Sequence, residues 1–256
     1  MYTLKSTLLD AVKAAGALIL DRFHTAFSVS HKEGVNNLVT EVDQASEQLI
    51  RNLIRSRYPD HGWVGEEYGA SIPEATYKWI IDPIDGTVNY AHGVPLCCVS
   101  IGLMQDEEII LGAVYNPMLK ELFFAEKGKG AYLNDQRIYV SEKKTFENAF
   151  LVTGFPYQFP EGNDPLKIFN KIVGSGLPVR RLGSAALDLC WVACGRFDGF
   201  WEYNLQSWDV AAGYLIVAEA GGKITDFAGR PASVWGRETL ATNGHIHEAL
   251  RAIITN

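Results

Sequence analysis

Apolar residues at Leu8, Ala11, Val12, Ala15, Leu18 and Ile19 recur at helical spacing, which predicts an amphipathic helix over residues 4–24. The polar stretch from His31 to Asn37, with Gly34 inside it, reads as an exposed loop or hairpin. A second helix is predicted over Thr40 to Tyr58, with apolar positions Val42, Ala45, Leu49, Leu53 and Ile54, ended by Pro59. Trp79-Ile80-Ile81 is a short apolar strand that runs into Asp82-Pro83-Ile84-Asp85-Gly86-Thr87.

Val99 to Met104, Ile109 to Tyr115, Leu122 to Ala125 and Ala131 to Leu133 read as strands punctuated by Asp106, Asn116-Pro117, Gly128 and Gly130, a pattern that resembles an antiparallel meander. Further on, a strand is expected at Phe150 to Thr153 and a helix at Asp164 to Val173. Arg181 to Gly195 starts with Gly183-Ser184 and continues as a helix, followed by a strand from Gly199 to Glu202. Asp209 to Ala220 is a helix closed by Gly221-Gly222, since glycine favours helix termination. Lys223 to Asp226 and Thr239 to Thr242 supply the last strands, and His245 to Thr255 the last helix. Strands interrupted by helices point to a layered α/β or α+β sheet protein.

At 256 residues, 47% of them hydrophobic, the chain is long enough for one large domain over 1–256, or for two intimately packed halves, roughly 1–145 and 146–256. No repeat or Pro/Ser-rich linker marks an independent second domain. The formal charge of −7 argues against nonspecific attachment to nucleic acid or membrane, yet not against an anionic substrate, because a bound divalent cation reverses the sign locally. Lys5, Asp10 and Lys13 interrupt the first apolar pattern, which reads against a secretory leader, and no apolar run reaches the roughly 18 residues of a spanning helix. A cytoplasmic location is therefore expected. Cys97, Cys98, Cys190 and Cys194 have no zinc-site spacing and are expected as reduced thiols in the core.

Candidate chemistry concentrates in acids. Asp82 and Asp85 sit three apart at the end of an apolar strand, where two carboxylates are costly unless something positive compensates them. Magnesium, a hard cation that takes oxygen ligands, is the natural candidate; capping of a turn is the alternative. Val64-Gly65-Glu66-Glu67 is an acidic pair that is either part of the same site or simply solvated. Trp208-Asp209-Val210 places an acid at the start of an apolar helix, where an N-cap role and metal ligation are compatible. No Walker A motif or Gly-x-Ser-x-Gly elbow is present.

Taken together, Glu66-Glu67, the Asp82 to Thr87 segment with Asn89-Tyr90, and Trp208-Asp209-Val210-Ala211-Ala212-Gly213 resemble the signatures of the inositol monophosphatase family. Asn37-Leu38-Val39-Thr40-Glu41-Val42-Asp43 and Gly183-Ser184-Ala185-Ala186 resemble further segments of it, and the likeness to its bacterial, SuhB-like branch covers nearly the whole chain. The resemblance implies an α+β fold of the layered αβαβα sandwich type, and a magnesium-dependent phosphatase acting on a small phosphorylated metabolite. By similarity, Glu66, Asp82 and the Ile84 carbonyl would hold one magnesium ion, and Asp82, Asp85 and Asp209 a second. Glu66 would help a third, giving two to three ions per subunit.

Thr87 and Asp43, with Glu66, would serve the attacking water, and the amides near Gly86 and Thr87 the phosphate. Gly183, Ser184, Ala185, Glu202 and Asp209 would meet the rest of the substrate. Glu202 is suited to this as an acceptor-only side chain, though a strand-end acid at the surface is its alternative. Lys32 would belong to a mobile loop near the metals, or be a solvated loop lysine. Asn37 departs from the aspartate common in the family, removing one negative charge near that loop.

The resemblance also implies a homodimer and sensitivity to lithium. Inositol 1-phosphate is the leading substrate, with fructose 1,6-bisphosphate, NADP, histidinol phosphate and 3′-phosphoadenosine nucleotides as alternatives within the same chemistry. A reading of a different class is a scaffold that binds RNA polymerase, nucleic acid or another macromolecule.

Overall fold

The computed structural model describes residues 2–31, 38–156 and 164–255. Helix α1 (Leu4–Arg22) opens on a capping box, with the Thr3 hydroxyl accepting the Ser6 N–H, and buries Leu8, Ala11, Val12, Ala15 and Ile19 as the spacing predicts. A hairpin of β1 (Val29–His31) and β2 (Leu38–Thr40) leads into α2 (Glu41–Arg57). The stripe that α2 buries is not the predicted one. Val42, Asp43, Ser46, Glu47, Ile50 and Ile54 face inward, while Ala45 is exposed and Leu49 and Leu53 are only half-buried. Three polar residues thus occupy a core face.

The short antiparallel hairpin of β3 (Gly62–Gly65) and β4 (Gly69–Ser71) was not anticipated. Strand β5 (Tyr77–Asp85) runs past the predicted Ile81 and straight through Pro83. Proline interrupts a sheet ladder, and here the register shifts between Asp82 and Asp85 to accommodate it. Then come the five-residue α3 (Thr87–Ala91), β6 (Cys98–Gln105), β7 (Glu108–Asn116), β8 (Glu121–Glu126), β9 (Gly130–Leu133) and β10 (Gln136–Arg137). The second part holds β11 (Leu151–Thr153), α4 (Pro165–Gly174), β12 (Val179–Arg180), α5 (Ala185–Ala193) and β13 (Gly199–Tyr203). It ends with α6 (Ser207–Glu219), β14 (Lys223–Thr225), β15 (Glu238–Thr242) and α7 (His247–Thr255).

An eight-stranded sheet of order β10-β9-β8-β7-β6-β5-β3-β4 contains the predicted meander, and a five-stranded sheet of order β12-β11-β13-β15-β14 forms the second layer of strands. Alternation along the large sheet sends Ile81, Val99, Ile101 and Leu103 into a core shared with α1 and α2. It sends Ile80, Cys98, Val114 and Phe123 to the other face, against α5 and α6. Those two helices are largely apolar because they lie between the sheets, with Asp188 and Asp209 in their first turns as exceptions. Amphipathic α4 and α7 cover the outer face of the small sheet, over Leu151, Trp201 and Leu240. The order of layers is αβαβα, as the family resemblance implies.

One detail of this packing positions the site. Gly102 and Gly112 face each other across β6 and β7, and a Cβ on either would come within 2.9 Å of Ala211 Cβ or Ala212 O. Their bare backbone lets the first turns of α6 settle onto the sheet beside the end of β5. Among the described residues, no helix is long and apolar enough to cross a membrane.

Candidate active site

The end of β5, the start of α6 and the start of α5 meet over one cavity of about 480 Å³. Carboxylate oxygens of Asp82, Asp85 and Asp209 lie within 4.8 Å of one another there. Asp82 is 1% exposed, and its Oδ1 accepts the Ile84 N–H at 3.0 Å. Asp85 Oδ2 accepts the Ser184 hydroxyl at 2.6 Å and the Ala186 N–H at 2.7 Å, so the opening of α5 fixes its orientation. Asp209 stands at the third position of α6, which begins two residues earlier than predicted, and its Oδ2 accepts the Gln206 N–H at 2.7 Å. It is a capping-box acid rather than the N-cap, and its carboxyl also makes a hydrogen bond with Asp82.

Burial pushes the Asp82 carboxyl well above the usual range, and the charges of Glu66, Asp85, Asp209 and Asp43 push it further. Asp209 is raised well above it by burial and then by Asp85, and burial lifts Asp85 to about 6 despite the hydrogen bonds it accepts from Ser184, Ala186 and Ala185. Glu66 lines the same cavity and acts electrostatically on all three, although it is outside the 4.8 Å group.

Helix α2 supplies the adjoining wall. Asp43 Oδ2 is held by the Thr40 N–H at 2.8 Å and by the Thr40 hydroxyl, while Oδ1 faces Thr87 Oγ1 at 3.1 Å. The single Thr87 proton has a second acceptor, the Ile84 carbonyl at 3.0 Å, so it serves one partner at a time. Burial carries Asp43 up to about 7. One turn on, the Ser46 hydroxyl donates to the Pro83 carbonyl at 3.2 Å, and Glu47 Oε2 accepts the Glu67 N–H at 2.7 Å.

Gly86 takes a left-handed conformation, φ 92°, between β5 and α3, where a Cβ would come within 2.9 Å of Leu96 O. Gly183, Ser184 and Ala185 line the cavity opposite it, and Asn89 ties the two sides by donating to the carbonyls of Leu96 and Leu182. Glu202, at the end of β13, closes the far side beside Gly154. Its carboxyl is pushed well up by burial, then by Asp209 and Asp85, with Arg181 pulling the other way.

A family model, the inositol monophosphatase family, matches residues 2–256. The chain belongs to the inositol monophosphatase family. It is 42% identical over 245 residues to an inositol-1-monophosphatase of Synechocystis, covering 94% of this chain and 85% of that one. It is 40% identical over 262 residues to the Nus factor SuhB of Pseudomonas aeruginosa, covering 99% and 96%. The crystal structure of extragenic suppressor protein SuhB from Bartonella henselae superposes with a TM-score of 0.94 at 37% identity, over 99% of this chain and 98% of that one.

The inositol monophosphatase family is metal-dependent, and the donor set here suits a hard cation. Every gathered side chain is a carboxylate, and none of the ion pairs among the described residues reaches Asp82, Asp85 or Asp209. The buried charge therefore calls for a positive partner that none of the ion pairs among the described residues supplies. Lys32 and Asn37 lie outside the described residues. Among the histidines, His61 and His247 are occupied structurally. Trp79 Nε1 donates to His61 Nδ1, and His247 bridges the Thr225 and Thr242 hydroxyls. All four cysteines are free thiols, with Cys194 only partly buried.

Ser46, Glu47 and Asp188 were not singled out from the sequence. Asp188 lines the cavity from α5, is 1% exposed, and its Oδ1 has no hydrogen-bond partner among the described residues. A stripe at 43, 46, 47, 50 and 54 was the available signal for the first two, since it has helical spacing irrespective of polarity.

Proposed function

We propose that this chain is a magnesium-dependent phosphomonoesterase that hydrolyses myo-inositol monophosphate, inositol 1-phosphate foremost, to inositol and phosphate. The observation that carries this reading is the convergence of Asp82, Asp85 and Asp209, from chain segments far apart, on one cavity. Glu66, Asp82, the Ile84 carbonyl, Asp85 and Asp209 would hold two to three magnesium ions. Such ions, when bound, polarise phosphoryl oxygens, lower the pKa of water and steady a leaving alkoxide.

The remaining work falls to the protein. Thr87 and Asp43 form a short relay. A carboxylate near neutral pKa, anchored by Thr40 on one oxygen, accepts a proton through the Thr87 hydroxyl on the other. No covalent nucleophile is needed for direct in-line attack by water, where positioning and charge neutralisation dominate. Amides near Gly86 and Thr87 meet the phosphate, and Gly183, Ser184, Ala185 and Glu202 meet the cyclitol hydroxyls. The enzyme is further read as a cytoplasmic homodimer, inhibited by lithium.

The test is a panel of phosphomonoesters with magnesium titrated. Inositol 1-phosphate should release phosphate, and EDTA should abolish the release. Preference for fructose 1,6-bisphosphate, NADP, histidinol phosphate or a 3′-phosphoadenosine nucleotide would move the substrate but keep the chemistry. The likeness to the Nus factor SuhB favours a second reading, a scaffold contacting RNA polymerase or nucleic acid. That reading prevails if no phosphomonoester is cleaved while such a partner co-purifies.

A sharper test concerns Glu202. Glu202→Ala is expected to raise KM for inositol 1-phosphate by roughly tenfold or more, the cost of leaving a buried substrate hydroxyl without its hydrogen-bond partner, with kcat changed far less. Steady-state kinetics showing an unaltered KM would remove Glu202 from the substrate site.

A further inference from the structure

The inward polar stripe of α2 touches three different segments of the site in two turns. Asp43 meets Thr87, Ser46 meets the Pro83 carbonyl, and Glu47 meets the backbone after Gly65. The first two contacts bear on β5 and α3. The third bears on the hairpin that carries Glu66, and it has no counterpart in the function described so far.

Glu47 is 0% exposed, deep between α2 and the sheet, where a carboxylate is expensive to keep unless it holds something in place. What it holds is the turn between β3 and β4. β3 runs parallel to β5 with Gly65 opposite Ile81, and the Glu66 N–H donates to the Ile81 carbonyl at 3.3 Å, immediately before Asp82. Beyond Glu66 the ladder to β5 ends and the chain reverses toward Gly69. At that point Glu47 Oε2 takes the Glu67 N–H at 2.7 Å.

Gly65 makes the arrangement possible, because a Cβ there would fall 2.1 Å from Glu47 Oε1. One turn further along α2, the Arg51 guanidinium lies over the rings of both Trp63 and Tyr68, at 4.7 Å from each, and so spans the two ends of the turn. The carboxylate pins the backbone of the turn while the guanidinium pins its flanks.

We propose that Glu47 is a positioning residue that fixes the Gly65-Glu66-Glu67 turn so that Glu66 faces the Asp82–Asp85–Asp209 cluster. The inference rests on the reading of that cluster as a metal centre. It assigns Glu47 no contact with metal or substrate; its effect passes through Glu66.

The experiment titrates Mn²⁺ and Mg²⁺ into the purified full chain and reads the cation-induced rise in Tm, with phosphate release measured in parallel. Glu47→Ala is expected to raise the cation concentration at half-effect by roughly tenfold to a hundredfold, the usual scale for residues that orient a ligand. Glu47→Gln, which keeps an acceptor for the Glu67 N–H, should stay within about threefold of wild type. Gly65→Ala, which displaces the carboxylate without removing it, should shift the midpoint in the same direction as Glu47→Ala.

The decisive arm is a double-mutant cycle. In a Glu66→Ala background, Glu47→Ala should change the midpoint by less than about twofold, because the residue it positions is gone. Full additivity in that cycle, or wild-type midpoints for both Glu47→Ala and Gly65→Ala, overturns the assignment while leaving the metal centre intact. A wild-type chain whose Tm responds to neither cation overturns the metal reading and the inference with it.

Discussion

Replacing Asp85 with asparagine is expected to cut turnover by on the order of a thousandfold or more while the fold survives. The fold survives because the Asp85 Oδ2 contacts to Ser184 and Ala186 can be accepted equally well by an amide oxygen. Those contacts orient the side chain, so the amide nitrogen is turned toward Asp82 and Asp209. A donor then stands where a hard cation needs an acceptor. Loss of several kcal/mol of charge stabilisation in the transition state, at about 1.4 kcal/mol per tenfold in rate, sets the expected scale. Burial already raises this carboxyl to about 6, so removing its charge should leave the Tm of the metal-free protein unchanged or higher. The magnesium-induced rise in Tm should shrink at the same time. Near-normal hydrolysis by Asp85→Asn would falsify the metal assignment.

The second large effect is expected in the metal-free protein itself. Asp82, Asp85, Asp209 and Asp43 all have carboxyls raised in the fold, Asp85 to about 6 and Asp43 to about 7. A raised carboxyl binds its proton more tightly folded than unfolded. Its contribution is therefore complete below the unfolded value of 3.8 and is lost as pH climbs through the folded value. His247, lowered to about 4, works in the opposite sense, and its contribution levels off as pH rises past the ordinary histidine value of 6.5.

Between pH 7 and 8 the raised carboxyls should dominate the slope, so EDTA-treated protein should melt at progressively lower temperature across that window. Magnesium should flatten the profile. At a hundredfold excess over Kd it adds about 2.7 kcal/mol, or roughly 5–10 °C for a chain of this size. Differential scanning calorimetry at several pH values, with and without the ion, checks both parts. A metal-free Tm that rises over the window would contradict the crowding of charge at the site.

How much of this was legible beforehand depends on which physical signal was being read. Periodicity located α1 because one face of it meets the core, and the strands of the meander because they are apolar runs punctuated by turn residues and buried on both faces. It misplaced the inward face of α2, because Asp43, Ser46 and Glu47 are polar and a hydrophobic count assigns polar residues to solvent. The β3–β4 hairpin escaped because its strands have four and three residues, with glycines at Gly62, Gly65 and Gly69. Pro83 argued for an end to β5, and only the register shift between Asp82 and Asp85 allows the strand to continue. The acids themselves were visible through their company: turn residues after Asp82 and an apolar helix after Asp209. Ser184 and Ala186, which aim Asp85, could not be inferred from spacing, since they approach from 99 and 101 residues away.

Gly102 and Gly112 have a bearing on how the molecule comes to life after synthesis. The bare patch they leave on the large sheet is the seat for Ala211 and Ala212, and through them for Asp209. A nascent chain that has completed every strand of the large sheet still holds only two of the three clustered aspartates. The third is in place only once α6 has packed between the two sheets, so a cation gripped by all three aspartates would bridge both parts of the chain and be held only by the assembled molecule.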